Sequence, residues 1–142
     1  MKLVKHLLDA KGRHVISIAP DASVRDAIKR MAEKGIGALV VLDGDKLCGI
    51  VSERDYARKV VLKGRQSDST SVADIMTADV VTTTPDATVD SCMQTMTDVK
   101  CRHLPVVEND KVVAMISIGD LVQAIIADQK EEIQQLEQYI AG

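Results

Sequence analysis

The feature that most constrains this chain is that it repeats itself. Pro20-Asp21-Ala22-Ser23-Val24 returns as Pro85-Asp86-Ala87-Thr88-Val89, displaced by 65 residues. At that displacement Val15–Asp55 lies on Val80–Asp120 without a gap, and 12 of the 41 positions are identical, among them Met31/Met96, Leu39/Leu104, Val41/Val106, Ser52/Ser117 and Asp55/Asp120. Upstream, Leu7-Leu8 matches Ile75-Met76 at a displacement of 68, so the first copy carries three extra residues there. A unit of about 50 residues rarely buries enough apolar surface alone. Two copies stacked through their sheets share one apolar layer.

Each copy reads as β-α-β-β-α. A short β-rich run opens it, Val15–Ile18 and Val80–Thr83. Ser23 and Thr88 sit where a helix N-cap belongs, and Asp26 completes a capping-box pattern with Ser23. Val24, Ala27, Ile28 and Met31 then follow helical spacing, as do Val89, Cys92, Met93 and Met96, and Gly35 ends the first helix. Two apolar runs come next, Leu39–Leu42 and Leu47–Val51 through Asp43-Gly44, then Leu104–Val107 and Val112–Ile116 through Glu108-Asn109-Asp110. A second helix is expected to open at Asp55 and at Asp120. Gly64–Ser71, rich in Ser, Asp and Gly, is the natural join. The expected division is a first repeat at 1–65, a linker at 66–71, a second repeat at 72–128 and a helical extension at 129–142. On that last helix Ile126, Ile133, Leu136 and Ile140 form a stripe near heptad spacing.

Composition narrows the function classes. The chain has 142 residues, 18 Lys and Arg against 21 Asp and Glu, and a net charge of −3. No basic stripe is available for a phosphate backbone, and Tyr56 and Tyr139 are its only aromatics, so a nucleic-acid partner is not expected. No purely apolar stretch exceeds the five residues of Ala38–Leu42, and no apolar h-region comes after the basic start, so neither a membrane partner nor export is expected. Cys48, Cys92 and Cys101 are odd in number and not spaced as a pair, which reads as free thiols in a reducing cytoplasm. His6, His14 and His103 have no mutual ligand spacing, so no metal is expected. Gly35-Ile36-Gly37 leads into a strand and is no dinucleotide fingerprint. Arg58, Lys59, Lys63 and Arg65 read as a solvated helix face and linker. No nucleophile–base arrangement comes with a supporting motif, so the chain is not read as an enzyme.

The candidate chemistry lies in Ser52-Glu53-Arg54-Asp55 and its copy Ser117-Ile118-Gly119-Asp120. In each, a strand delivers a hydroxyl and a carboxylate comes three residues later. A capping box explains this pattern completely. The same geometry also suits a ligand, because a helix N-terminus favours phosphate and a carboxylate can accept both hydroxyls of a ribose. Repetition alone leaves both readings open.

These residues carry a resemblance. The β-α-β-β-α order, the Pro-Asp-Ala-[Ser/Thr]-Val opening, Arg102-His103-Leu104-Pro105-Val106-Val107 and Gly49-Ile50-Val51-Ser52-Glu53-Arg54-Asp55 resemble a tandem pair of CBS domains, named for cystathionine β-synthase, in its stand-alone bacterial form. The resemblance covers about residues 1–128. It implies an α+β fold, two repeats related by pseudo-twofold symmetry and packed through their sheets, with a cleft that binds adenosine ligands. Carried over by position, one site combines Ser117, Gly119 and Asp120 with Ser17, Ala22, Ile36, Gly37 and Ala38. The other combines Ser52, Arg54 and Asp55 with Thr82, Ala87, Cys101, Arg102 and His103. In the resemblance each Asp holds a ribose, and Arg54, Arg102 and His103 are the cationic groups facing phosphate. Ala114 in place of Gly49 and Gly119 in place of Arg54 depart from the first copy and leave less cation for a triphosphate.

The expected function is therefore a non-catalytic regulatory module binding an adenine nucleotide, AMP ahead of ADP, ATP or NAD(H), and acting on an unknown protein target. The alternatives are an interaction module with empty clefts and, further off, a small nucleotide-hydrolysing enzyme. A homodimer is expected, its C-terminal helix packing across the interface or back onto its own module.

Overall fold

A computed structural model describes residues 2–141. The chain runs α1 (Val4–Lys11), β1 (Ser17–Ile18), α2 (Val24–Lys34), β2 (Ala38–Asp43), β3 (Lys46–Ser52), α3 (Glu53–Tyr56), a π-helical turn at Ala57–Val61, α4 (Val72–Ile75), α5 (Val89–Val99), β4 (His103–Glu108), β5 (Lys111–Ser117) and α6 (Ile118–Ala141). Strands β1, β2 and β3 form one sheet, with β1 parallel to β2 and β2 antiparallel to β3. Strands β4 and β5 form a hairpin. Among the described residues no helix is long and apolar enough to cross a membrane.

The expected opening strands are shorter than their β-rich runs. Only Ser17–Ile18 is a strand in the first copy, and in the second the pairing shrinks to a single parallel bridge, Thr83 to Val106. The second helices also begin earlier than expected, at Glu53 and Ile118. Ser52 and Ser117 take the cap position, and the aspartates sit at the third helical residue, where a carboxylate can reach back to the cap amide. At α2, Ser23 Oγ accepts the Asp26 amide at 3.1 Å, the hydroxyl half of the expected box. Gly35 ends α2 at φ 65°, and Lys100 takes the equivalent left-handed position at φ 57° after α5, where no glycine announced it.

Two compact units emerge, and they are not the two sequence halves. One joins the chain up to Arg13 to Thr82–Glu108 and the chain from Val113 on; the other holds His14–Val81 with Asn109–Val112. The cause is an exchange of leading helices. The amides of Val4 and Lys5 donate to the carbonyls of Ala87 and Pro85 at 2.9 Å each, and Val89 N–H donates to Lys2 at 3.0 Å. The other unit repeats this wiring: Val72 and Ala73 donate to Ala22 and Pro20 at 2.8 and 2.9 Å, and Val24 donates to Thr70 at 2.9 Å. The repeated Pro-Asp-Ala-[Ser/Thr]-Val is thus a socket. Its carbonyls satisfy first-turn helix amides that have no partner within their own helix. Each socket is backed by its own core: Val4, Leu7 and Leu8 against Cys92, Met96, Leu104 and Ile116 in one unit, Val72 and Ile75 against Val24, Met31, Leu39 and Val51 in the other.

Gly49 and Ala114 occupy equivalent strand positions in different surroundings. Thr77 pairs antiparallel with Ile50, so a Cβ on Gly49 would lie 2.7 Å from the Thr77 carbonyl oxygen and 2.9 Å from Met76 Sδ. In the other unit α1 stays helical to Lys11, and a buried Ala114 is accommodated.

Candidate functional site

Each unit carries one serine–aspartate pair at a strand-to-helix junction. In both, the strand ends at the serine and the helix opens directly after it. Asp55 N–H donates to Ser52 Oγ at 3.2 Å, and Asp55 Oδ2 accepts from Ser52 N–H at 2.9 Å and Ser52 Oγ at 3.0 Å. Asp120 N–H donates to Ser117 Oγ at 3.2 Å, and Asp120 Oδ2 accepts Ser117 N–H at 2.8 Å. Both capping boxes are formed. Both carboxylates also remain partly open, with Asp55 and Asp120 side chains 13% and 21% exposed.

The two pairs differ in their cations. Lys59, four residues along in the π-helical turn that continues α3, places Nζ 3.2 Å from Asp55 Oδ1 and donates to the Ile75 carbonyl at 2.8 Å. The reading of Lys59 as merely solvated is corrected: the helical turn sets it over the carboxylate. At Asp120 the cation is Lys11, at the end of α1, with Nζ 2.5 Å from Oδ2 and 2.8 Å from the Met115 carbonyl oxygen. Lys11 was not singled out in the sequence. Its signal was the three-residue insertion in the first copy, which becomes an additional turn of α1: eight residues against the four of α4.

The pre-hairpin segments pack beside the junction of their own repeat. Gly37 accepts the Glu53 amide at 3.0 Å, and Ala38 is in register with Ser52, so Ile36, Gly37 and Ala38 adjoin Ser52, Arg54 and Asp55. Likewise Arg102 accepts the Ile118 amide at 2.9 Å, which sets Cys101, Arg102 and His103 beside Ser117, Gly119 and Asp120. Ser17 pairs with Val40 in the sheet and its carbonyl accepts from Arg30; Ala22 and Ala87 are half-buried in the sockets, and Thr82 is exposed. The expected sites draw these segments from opposite repeats.

Charge at the Asp120 junction is strongly structured. Burial raises the Asp120 carboxyl, but the Lys11 hydrogen bond, the Ser117 amide, the Lys11 charge and the Ser117 hydroxyl together bring it below its ordinary value. Burial foremost, then Lys11, pushes the His103 imidazole below its ordinary value; Asp120 opposes this and Arg102 adds to it. These influences bias the imidazole toward its neutral form, which offers one N–H and one acceptor. Burial raises the Cys101 thiol, with the His103 and Cys101 amides working the other way. The three cysteines are free and Cys92 is buried. Among the described residues no group of three His, Cys, Asp or Glu is arranged to hold a metal. The junction thus offers a carboxylate acceptor beside the Lys11 ammonium and an imidazole, suited to a ligand with both hydroxyl donors and negative charge.

Comparison with known proteins agrees in family. The family model for the CBS domain matches residues 8–62 and 72–127. CBSX3, a mitochondrial CBS domain-containing protein of Arabidopsis thaliana, is 45% identical over 127 residues, covering 86% of this chain and 62% of the relative. This chain therefore spans less than two thirds of that relative's length. A CBS-domain protein from Burkholderia ambifaria has a solved structure similar at a TM-score of 0.87, with 52% identity over 90% of this chain and 96% of that one. The CBS domain pair of protein MJ0100, solved in complex with 5′-methylthioadenosine and S-adenosyl-L-methionine, is similar at a TM-score of 0.80 and 25% identity, covering 90% and 98% of the two chains.

Proposed function

The chain belongs to the CBS-domain family, and from that premise we propose that it is a non-catalytic regulatory module that binds an adenine nucleotide, AMP in preference to ADP, ATP or NAD(H). One observation carries the reading: at the β5–α6 junction a partly open carboxylate lies beside Lys11 and the His103 imidazole. Asp120 accepts the ribose diol of one nucleotide, while the Arg102 guanidinium, as a planar fork for phosphate, and the His103 imidazole, as a donor, serve the nucleotide held by Asp55. Asp55 with Ser52 and Arg54 does the same at the second site. The residues drawn from the opposite repeat, Ser17, Ala22, Ile36, Gly37 and Ala38 for Asp120 and Thr82, Ala87, Cys101, Arg102 and His103 for Asp55, belong to the reading as contacts to the nucleotide. Support for the ligand class comes from the MJ0100 pair, whose two ligands share adenosine. The monophosphate is preferred because Gly119 replaces Arg54 and removes one cation from the second copy.

The module acts as a homodimer in the cytoplasm. Every described residue from 129 to 141 is exposed, Ile133, Leu136 and Ile140 included, so the extension is not folded back and a second subunit is what its stripe fits. Free thiols suit a reducing compartment. Regulation comes from differential affinity: bound nucleotide shifts the module's pose by no more than its preference for one pose over the other.

Titration calorimetry tests the reading with AMP on the parent, Asp120→Ala, Asp55→Ala and the double variant. Losing the diol acceptor removes charge-assisted hydrogen bonds and weakens its site by about 30- to 1,000-fold. If all four proteins bind AMP alike, both aspartates are caps and the nucleotide reading falls.

A further inference from the structure

The structure gives the two aspartates cations of different origin, and only one of them arrives from elsewhere in the chain. Lys59 belongs to the same helical stretch as Asp55. Lys11 reaches Asp120 across 109 residues of sequence, from the turn that the insertion adds to α1. In the other unit the equivalent strand carbonyl, that of Ile50, accepts a main-chain amide from Thr77 at 2.8 Å. At Met115 the Lys11 ammonium replaces that amide, so the same group that closes the strand edge also holds Asp120. Its target is the oxygen that already takes the Ser117 amide at 2.8 Å. Asp120 Oδ2 thus has two strong donors, and a diol needing both carboxylate oxygens must displace one. The Ser117 amide is fixed by the cap. Lys11, with a side chain 37% exposed, is the one free to leave.

We propose that Lys11 is an internal competitor for the Asp120 carboxylate, so that binding of a vicinal diol there and docking of the last turn of α1 exclude one another. This deepens the nucleotide-binding reading and rests on Asp120 accepting the diol. It makes the two sites unequal. At Asp55 a ligand meets a cation carried by its own helix, and at Asp120 it must evict one carried by α1. Occupancy is thereby transmitted to the Lys11–Gly12 end of α1, where Gly12 N–H donates to Leu8 at 2.7 Å.

The probe is adenosine, because it carries the diol and no charge for Lys11 to follow. Calorimetry on the Asp55→Ala background isolates the Asp120 site, with and without Lys11→Met, and Lys11→Gln serves as the second variant. A competitor predicts adenosine binding about threefold to tenfold tighter when Lys11 is neutralised. It also predicts that added salt strengthens adenosine binding to the Lys11 protein, by screening the partly exposed pair, and leaves the Lys11→Met protein unmoved. Hydrogen exchange at Gly12 should speed up when adenosine binds, the opposite of ordinary ligand protection. Equal or weaker adenosine binding by both neutral variants, with AMP still bound through Asp120, overturns the competitor and spares the nucleotide reading. Adenosine and AMP binding that ignores Asp120→Ala overturns the nucleotide reading, and the competitor with it.

Discussion

The Ser52–Asp55 and Ser117–Asp120 junctions share one local geometry and two electrostatic settings. The serine-to-aspartate distances agree to within about 0.1 Å in both reciprocal bonds, because four residues at a strand-to-helix turn suffice to define a capping box. The cations are both lysines, each also donating to a main-chain carbonyl at 2.8 Å, but they come from different parts of the chain. Lys59 is placed by the i, i+4 spacing of its own helix, and Lys11 by the packing of α1 into the unit it shares with α5 and α6. The helices that leave the junctions also differ. One passes into a π-helical turn and ends at Val61, and the other runs 24 residues to Ala141. Copying a sequence preserves the structure decided within a turn of helix and leaves long-range contacts free to diverge.

The comparison can be broken most severely at the carboxylates. A deoxyribose analogue of AMP lacking the 2′-hydroxyl should bind the parent more weakly yet lose less on Asp120→Ala, since one contact is already missing, while the full ribose loses about 2–4 kcal/mol. Arg102→Ala should weaken AMP more than adenosine, as calorimetry on both ligands would reveal. Equal losses would remove Arg102 from the phosphate.

Next in size is the strand position where the copies differ. Gly49→Ala drives a Cβ into the Thr77 carbonyl and Met76, and should lower unfolding free energy by about 1–3 kcal/mol in denaturant titration. Ala114→Gly, which removes a buried methyl and loosens a strand, should cost about 0.5–1 kcal/mol. A harmless Gly49→Ala would mean that the Thr77–Ile50 bridge is not maintained in solution. The caps should then behave alike: Ser52→Ala and Ser117→Ala each cost about 0.5–2 kcal/mol, the symmetrical part of the comparison.

Acid should separate the units by pH rather than by size. His103 has a folded pKa below its unfolded one, so the unfolded chain binds that proton better. Its stabilising contribution is complete above about pH 6.5 and is lost as pH falls through that value toward the folded pKa. Asp120, also lowered, holds its contribution above about pH 3.9 and loses it as pH falls further. Ala38 stands where the second copy has His103, so the first copy has no equivalent of this group. Thermal unfolding between pH 7 and 5 should flatten in His103→Gln; an unchanged slope would place the titrating group elsewhere. The smallest effect concerns thiol labelling: native Cys92, 2% exposed, should react slowest of the three cysteines, and Cys101 should respond little to pH near neutrality because its thiol is raised.

Much of this molecule was legible in its sequence because the determining interactions are short. The 65-residue repeat, Ser23 and Thr88 as helix caps, Gly35 as a left-handed stop and both hairpins depend on contacts within about a turn of helix or one strand pair. The buried face Val89, Cys92 and Met96 came from 3.6-residue spacing in the same way. Other features depended on residues distant in sequence, and local patterns do not carry them. Which body each leading helix joins was decided by whose carbonyls were free to receive its first amides, Ala87 and Pro85 for α1 and Ala22 and Pro20 for α4. The charge of His103 was decided by burial and by Lys11, which lies 92 positions upstream, and Lys59 ceased to be a solvated residue only once Asp55 and Ile75 were folded around it. The insertion before the first repeat announced an asymmetry, but only the packing of α1 turned it into a cation at Asp120, because Coulomb energy depends on separation in space and takes no account of separation along the chain.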